Sequence, residues 1–324
     1  AAWSVQQTTG GKYIIAGQTA SFGSGPSDVY LINTDSNGDS IWTKTYGGTG
    51  FESGRSVQQV VDGLTGNLLG YIITGFTNSS FGAGLQDVYL VRTDTNGNML
   101  WTKTYGGANN EYGYAIQQTG DMGFIITGYT SSFGAGGKDV YLIKTDSLGD
   151  TLWTKTYGGS IGDEEGYAVK QTGDGGYIIS GYTNSFGAGN DDIYLIKTDA
   201  NGDTLWTRAY GGGQFEYGYS VQQTNTSGYV VTGNFNSFGA LSVDVYLLRI
   251  DSAGSMIGWM NSFGKSPGDD YFRSIKQTTD GGYIIAGSSQ SFGVGGFDVF
   301  LLKADSTGEG TIISLNNYAS IVKK

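Results

Sequence analysis

The sequence predicts an all-β chain folded as a six-bladed β-propeller with four antiparallel strands per blade, and three observations carry that expectation. One pattern, SVQQT…YIIAG…SFGSG…DVYLINTD…IWTKTYGG from Ser4, restarts at Ser56, Ala115, Ala168, Ser220 and Ser274, every 52 to 59 residues. A fixed period of this size marks a repeat architecture. Within each copy, four short β-branched and aromatic runs are separated by Gly, Asn and Asp, and no stretch has helical period. Four strands is also the usual content of a propeller blade. Closure hides sheet edges, whereas a solenoid would need distinct polar caps, which this sequence lacks.

The fourth copy shows how each element arises. "AVKQT" alternates and runs into "GDGG", a tight turn. "YIISGYT" is a β-branched and aromatic run, followed by the longer loop "NSFGAGND". "DIYLIKTD" alternates again, "ANGD" turns the chain, and "TLWTRAYG" closes the unit. Asn37-Gly38, Asn96-Gly97, Leu148-Gly149 and Asn201-Gly202 supply the positive φ that a short hairpin needs. The six copies give blades of approximately 4–55, 56–114, 115–167, 168–219, 220–273 and 274–318, with 319–324 as a tail, in one propeller domain over 1–324.

Composition narrows function by exclusion. The 57 glycines would suit a disordered chain, but 14% aromatic residues and regular Ile/Val/Leu runs argue for packing. Without cysteine there is neither a disulfide nor a thiolate metal site. Without histidine the commonest general base and a common metal ligand are missing. A net charge of −11 repels phosphate backbones, so nucleic acid is not expected as a partner. No apolar run reaches the ~18–20 residues of a membrane span. Ala1-Ala2 fits the small residues that signal peptidase leaves behind. With low charge density and abundant Asn, Gln, Ser, Thr and Tyr, the expected location is extracellular or at the cell surface.

The ends of the units carry a resemblance. "NGDSIW" (37–42), "NGNMLW" (96–101), "LGDTLW" (148–153) and "NGDTLW" (201–206) share a Gly-x-x-x-Trp spacing. This resembles the tryptophan-docking motif of quinoprotein-type (PQQ-like) propellers, and the whole unit resembles the Gly/Tyr-rich repeats of secreted bacterial and archaeal propeller proteins. The resemblance implies that Trp101, Trp153 and Trp206 are buried over the neighbouring blade. The Asp-to-Gly spacing is one residue shorter than the quinoprotein pattern, so quinone binding is not carried over. In the sixth unit Ile312 takes the Trp position, and Trp3 sits where other copies have Tyr or Arg. Closure is expected to use whole blades, with no exchanged strand.

Residues present in every copy are expected to build the copy. Each unit has a Phe in Ser-Phe-Gly (Phe22, Phe81, Phe133, Phe186, Phe238, Phe292). An Asp opens each third strand: Asp28, Asp87, Asp139, Asp192, Asp244 and Asp298. The inter-blade loops add Glu52, Glu111, Glu164, Glu216 and Asp270. These eleven acids are the candidate metal residues, a ring of oxygen ligands for Ca²⁺ at the channel mouth. The competing reading is that each Asp caps loop N–H groups and each Phe plugs a gap between blades, and sixfold recurrence favours it. Gln7, Gln59, Gln118, Gln171, Gln223 and Gln277 are read as a hydrogen-bond ladder on the first strands.

"DSNGDS" (35–40) and "DANGDT" (199–204) begin like EF-hand loops, but position 6 is Ser or Thr and position 12 is Tyr46 or Tyr210, so both read as hairpin turns. Asp163, Glu164 and Glu165 form the densest acid cluster and read as a solvated loop. Pattern-breaking residues are the better functional candidates. An insertion at 61–70 brings Leu64, Leu68 and Leu69, and the tail brings Tyr318, Ile321 and Val322; these six are the candidate interface residues. The fifth unit is irregular at 239–244 and 254–267.

The expected function is a non-enzymatic binding or assembly module for adhesion, a surface layer or a filament, with no catalytic residues and no cofactor beyond Ca²⁺. Its partners would be other subunits, its own copies or surface polysaccharide. The alternative is a carbohydrate-active enzyme using carboxylates at the channel mouth.

Overall fold

The computed structural model describes residues 1–237, 243–264, 268–292 and 295–314, together with the backbone but not the side chains of 258–260 and 312–314. The fold is the six-bladed β-propeller the repeats predict. Six antiparallel sheets each contain four consecutive strands, with no exchanged strand among the described residues. They span residues 2–46, 52–105, 111–157, 164–210, 216–263 and 270–314, here blades 1 to 6. Most blades therefore begin about four residues earlier than the repeat suggests. The acid of the inter-blade loop already pairs in the sheet, and a bulge after it, as between Gly54 and Ser56, restores the alternation. Contacts divide the chain into two compact units, Ala1–Gln171 and Thr172–Lys324. No helix among the described residues is long and apolar enough to cross a membrane.

Blade 2 shows why the pattern needs this packing. Its second and third strands, Leu68–Thr77 and Asp87–Thr93, are buried on both faces over most of their length. Alternate residues enter different cores, as period-2 geometry requires. Tyr71, Ile73, Tyr89 and Val91 meet Ile14, Ala16, Val29 and Leu31 of blade 1. Ile72, Val88 and Leu90 meet Phe124, Ile126, Tyr141 and Ile143 of blade 3. A strand that feeds two cores reads as a continuous apolar run, which is what "YIITG" and "DVYLV" are.

The outer strand locks onto the next blade through its Trp and Tyr. Gly97 adopts φ 75°, and a Cβ there would fall 2.7 Å from the Trp42 ring. Tyr46 Oη donates to the Gly97 carbonyl at 2.7 Å. Trp101 and Tyr105 repeat this on Gly149, with the Tyr105 hydroxyl 2.6 Å from its carbonyl. Trp101, Trp153 and Trp206 are half-buried rather than buried, because the outer strand has a neighbour on one side only. The first strands are stitched by glutamine: the amide oxygens of Gln6, Gln58 and Gln117 accept the backbone N–H of Gln59, Gln118 and Gln171 at 2.7–2.8 Å. Gln222 does the same for Gln277 at 2.9 Å. The ladder is built, and the preceding Gln of each pair, not singled out in the sequence, supplies half of it.

Candidate functional site

The repeated carboxylates come together in pairs. Asp28 and Glu52 both lie against Gly47, Asp87 and Glu111 against Gly106, Asp139 and Glu164 against Gly158, Asp192 and Glu216 against Gly211, and Asp244 and Asp270 against Gly264. Asp298 belongs to the last blade and is half-buried. In blades 2 to 4 both acids are almost fully buried, so the expected open ring at a channel mouth does not describe them. Asp87 Oδ2 accepts the N–H of Ala83 and Gly84 at 2.8 and 3.1 Å, and Asp192 Oδ2 does so for Ala188 and Gly189. Glu111 accepts Gly107 N–H at 2.7 Å, Thr130 Oγ1 at 2.8 Å and Ser132 N–H at 3.1 Å. Glu52 takes Gly48 N–H and the hydroxyls of Thr77 and Ser79.

In Asp87 and Asp192 the donors all go to Oδ2, the oxygen that caps the loop. The space between each pair is also taken. A Cβ on Gly106 would fall 2.1 Å from Asp87 Oδ1 and 2.4 Å from Glu111 Oε2, so the glycine fills the gap where an ion would sit. No group of three acids with ligand spacing occurs among the described residues. The donated N–H groups fit the loop-capping role, and Asp87 Oδ1, Asp192 Oδ1, Asp244 Oδ1 and Glu216 Oε1 are left buried with no hydrogen-bond partner among the described residues. Burial pushes the carboxyl groups of Asp87, Asp139, Asp192 and Asp244 above the ordinary aspartate range, and the neighbouring acid adds to the rise.

Other positions sort in the same way. Asp35 and Asp199 each accept two N–H groups of their own turn, as a hairpin requires. Asp163 to Glu165 is not a solvated loop. Asp163 accepts Lys138 N–H, Glu164 caps Gly159, and Glu165 pairs with Lys138 Nζ at 2.6 Å. The Ser-Phe-Gly rings stand half-exposed against the third-strand aromatic, Phe81 on Tyr89 at 5.4 Å for example. Leu64 is 98% exposed at the tip of the inserted hairpin and Leu69 is partly exposed. Leu68 is half-buried and packs against the core between blades 1 and 2. Tyr318, Ile321, Val322 and Phe238 lie outside the described residues, as does the side chain of Ile312.

One place opens where the repeat fails. In blades 2, 3 and 4 the residue after the Gly of the second strand is Phe76, Tyr129 or Tyr182. Phe76 lies between Phe51, stacked at 5.9 Å with planes 7° apart, and Tyr112 at 4.2 Å. In blade 5 the equivalent residue is Asn234, while the flanking rings remain as Phe215 and Tyr271. A cavity of about 300 Å³ occupies the place of the missing ring, lined by Phe215, Tyr217, Tyr219, Asn234, Asn236, Val243 and Tyr271. A second break accompanies it. Phe272 replaces the glycine found as Gly54, Gly113 and Gly218, is fully buried, and stacks on Phe300 at 5.3 Å. Asn234 Oδ1 accepts the Phe272 N–H at 3.2 Å.

No protein-family model matches the chain, and no characterised protein sequence matches it either. Solved structures do. A puromycin hydrolase aligns with a TM-score of 0.58 at 11% identity, over 97% of this chain and 46% of that one. The β-propeller domain of the Trilobed protease from Pyrococcus furiosus aligns at 0.50 and 9% identity, over 97% and 83%. At such identities the likeness concerns the fold alone. The chain spans less than half the length of the hydrolase.

Sequence reasoning named the irregularities of unit 5 at 239–244 and 254–267, but the cavity is made by Asn234 and Phe272. The signal was available. Asn234 shares a column with Phe76, Tyr129 and Tyr182, and with the polar Gln18 and Ser288 of blades 1 and 6, while Phe272 stands in a column of four glycines and Ala2.

Proposed function

We propose that this chain is a non-enzymatic binding or assembly module working outside the cell or on its surface. The observation that carries the reading is the state of the acids. The residues best suited to acid–base chemistry are buried, hold loop N–H groups and press on glycine, so they are removed from any substrate. With no histidine or cysteine to replace them, the described surface offers a scaffold with an aromatic-walled socket. The likeness of the units to secreted repeat propellers supports the extracellular setting. The hydrolase and protease neighbours contribute the scaffold and no chemistry at these identities.

The test is to purify the chain, image it by electron microscopy, and assay it against peptide and glycoside substrates. Defined particles or polymers, with no turnover that survives further purification, support the module. Turnover abolished by Asp163→Asn or Glu165→Gln would show an enzyme instead.

A further inference from the structure

We propose that the cavity at the blade 5–6 junction is a carbohydrate-binding socket that takes one pyranose ring of a neutral saccharide; this rests on the binding-module reading above. The blade 2–3 junction shows the design with the socket filled. There Phe51, Phe76 and Tyr112 form a stack of three rings. At blade 5–6 the outer two rings persist as Phe215 and Tyr271, and the middle one is absent. The vacant slot is therefore ring-shaped and has an aromatic wall on either side, and its volume of about 300 Å³ sits at the lower end of small-ligand pockets.

The floor decides the chemistry. An aromatic ligand would only restore what Phe76 provides, with nothing for a polar floor to do. Here the floor carries an almost fully buried amide, Asn234, whose Oδ1 holds the Phe272 N–H. Among the described residues no hydrogen bond uses its Nδ2. Asn236 stands beside it. Its counterpart Asn78 accepts the Phe51 N–H through Oδ1, but the Asn236 side chain makes no hydrogen bond among the described residues. Two amides with spare donors and acceptors between aromatic faces suit a ring with apolar C–H faces and a rim of hydroxyls, which is a pyranose.

The walls are held in place before any ligand arrives. Tyr217 Oη donates to Asp191 Oδ2 at 2.6 Å, and Tyr246 Oη donates to the Tyr217 carbonyl at 3.0 Å. The Arg273 guanidinium lies 4.2 Å from the Tyr219 ring centroid and 5.5 Å from that of Tyr271. The residues that line the cavity carry no charged side chain, Asp191 and Arg273 standing behind Tyr217, Tyr219 and Tyr271, which is why a neutral sugar is specified. Fixed walls lower the ordering cost of binding.

Saturation-transfer NMR and calorimetry with a cello-, a chito- and an α-1,6-manno-tetrasaccharide test the proposal, with glucose and N-acetyl-phenylalaninamide as further probes. At least one tetrasaccharide should bind at millimolar concentration or better. Asn234→Tyr refills the slot as in blades 3 and 4 and should weaken that binding about tenfold or more, with the melting temperature kept or raised. Asn234→Ala and Asn236→Ala keep the slot open and should weaken it severalfold, which secures the test if the tyrosine variant does not fold. Binding of glucose alone would locate the ligand as a free sugar, and binding of the tetrasaccharides alone as a polymer; both support the socket. Binding by none of the saccharides, equal binding by wild type and all three variants, or a variant-sensitive signal from N-acetyl-phenylalaninamide alone would overturn it. Electron microscopy of the same samples separates the two readings, since defined assemblies without saccharide binding leave the module standing and remove only the socket.

Discussion

The junction between blades 2 and 3 and that between blades 5 and 6 are built from the same plan, and they differ in what the plan leaves open. The first is closed by Phe76, clamped between Phe51 and Tyr112. The second keeps both clamping rings, puts Asn234 where the phenylalanine stood, and inserts Phe272 where a glycine stood. The bulk has moved by one layer. Phe272 is buried beside Phe300 and Leu302, so the core of blade 6 is filled while the outer slot is vacated. In a repeat protein, recurrence specifies the scaffold. Paired departures from it, one adding volume and one removing it, mark where the scaffold has been adapted without losing its packing.

The comparison can be broken most directly at Phe76, which is 3% exposed. Phe76→Ala should cost about 3–5 kcal/mol, because the ring leaves a cavity between two fixed aromatics. Equilibrium urea unfolding measures it. Asn234→Ala in the other junction should cost much less, since the slot is already empty and only the bond to Phe272 N–H is lost. Equal losses would show that the two junctions do not differ as described.

The acids sharpen the same contrast. Glu111→Ala removes the acceptor of Gly107 N–H and Thr130 Oγ1, while Ser132 N–H keeps its bond to Thr130 Oγ1. At roughly 1–3 kcal/mol for a buried donor left unpaired, the expected cost is about 2–4 kcal/mol. In blade 6 the equivalent acid is one carbon shorter. Among the described residues Asp270 accepts from Ser291 alone, from its hydroxyl at 2.6 Å and its N–H at 3.4 Å. Asp270→Ala should therefore cost less than Glu111→Ala. Paired melting curves decide the order.

What the sequence reveals divides along the line between shared and unshared residues. Blade number, strand order and the turn roles of Asp35 and Asp199 follow from the repeat, because local turn chemistry and period-2 alternation act within one copy. The roles of Asp87 and Glu111 were legible only as alternatives. Whether a carboxylate faces N–H groups or a cation depends on how two loops 24 residues apart meet over Gly106, and no single copy encodes that meeting. Leu68 illustrates a related limit: an insertion looks exposed in sequence, but the second strand is extended to Leu68, whose half-buried side chain packs against the core. The socket needed column-by-column comparison, since Asn234 is unremarkable until it is set beside Phe76, Tyr129 and Tyr182.

A smaller effect is expected at the blade tips. Trp101 lies over Gly149 and 6.4 Å from Phe124, with its outer face toward solvent. Trp101→Ala should cost about 2 kcal/mol, below the range for a fully buried aromatic. Trp206 has an extra hold in blade 5, its Nε1–H donating to the Ser252 carbonyl at 3.0 Å. Trp206→Phe, which keeps the ring but drops that donor, should lose more than Trp101→Phe. The reverse order in thermal melts would show that the bond to Ser252 adds nothing.

The smallest effect concerns the turn after each first strand. In blade 4 the buried Lys197 ammonium pairs with Asp174 at 2.8 Å, and Thr172 Oγ1 and Gly176 N–H donate to the same carboxylate. Partial burial works against ionisation there, but the bonds from Lys197, Thr172 and Gly176 and the charge of Lys197 together outweigh it, and the carboxyl is brought down to about 2. Blade 2 has no such acid. Arg92 takes the lysine's place and donates to the carbonyls of Tyr71 and Leu69 instead, with burial lowering its guanidinium to about 10. A carboxyl whose folded pKa lies below its unfolded value stabilises the fold above the ordinary aspartate range, and the contribution is lost as pH falls through the folded value. Asp174→Asn should therefore lower stability at pH 7, and the gap to wild type should close between about pH 4 and pH 2. The carboxylate is 57% exposed, so solvent screening holds the loss at pH 7 below about 1 kcal/mol. Melting temperatures of the two proteins across that range provide the check. A difference that persists at pH 2 would show that the effect does not come from the charge of the Asp174 carboxylate opposite Lys197.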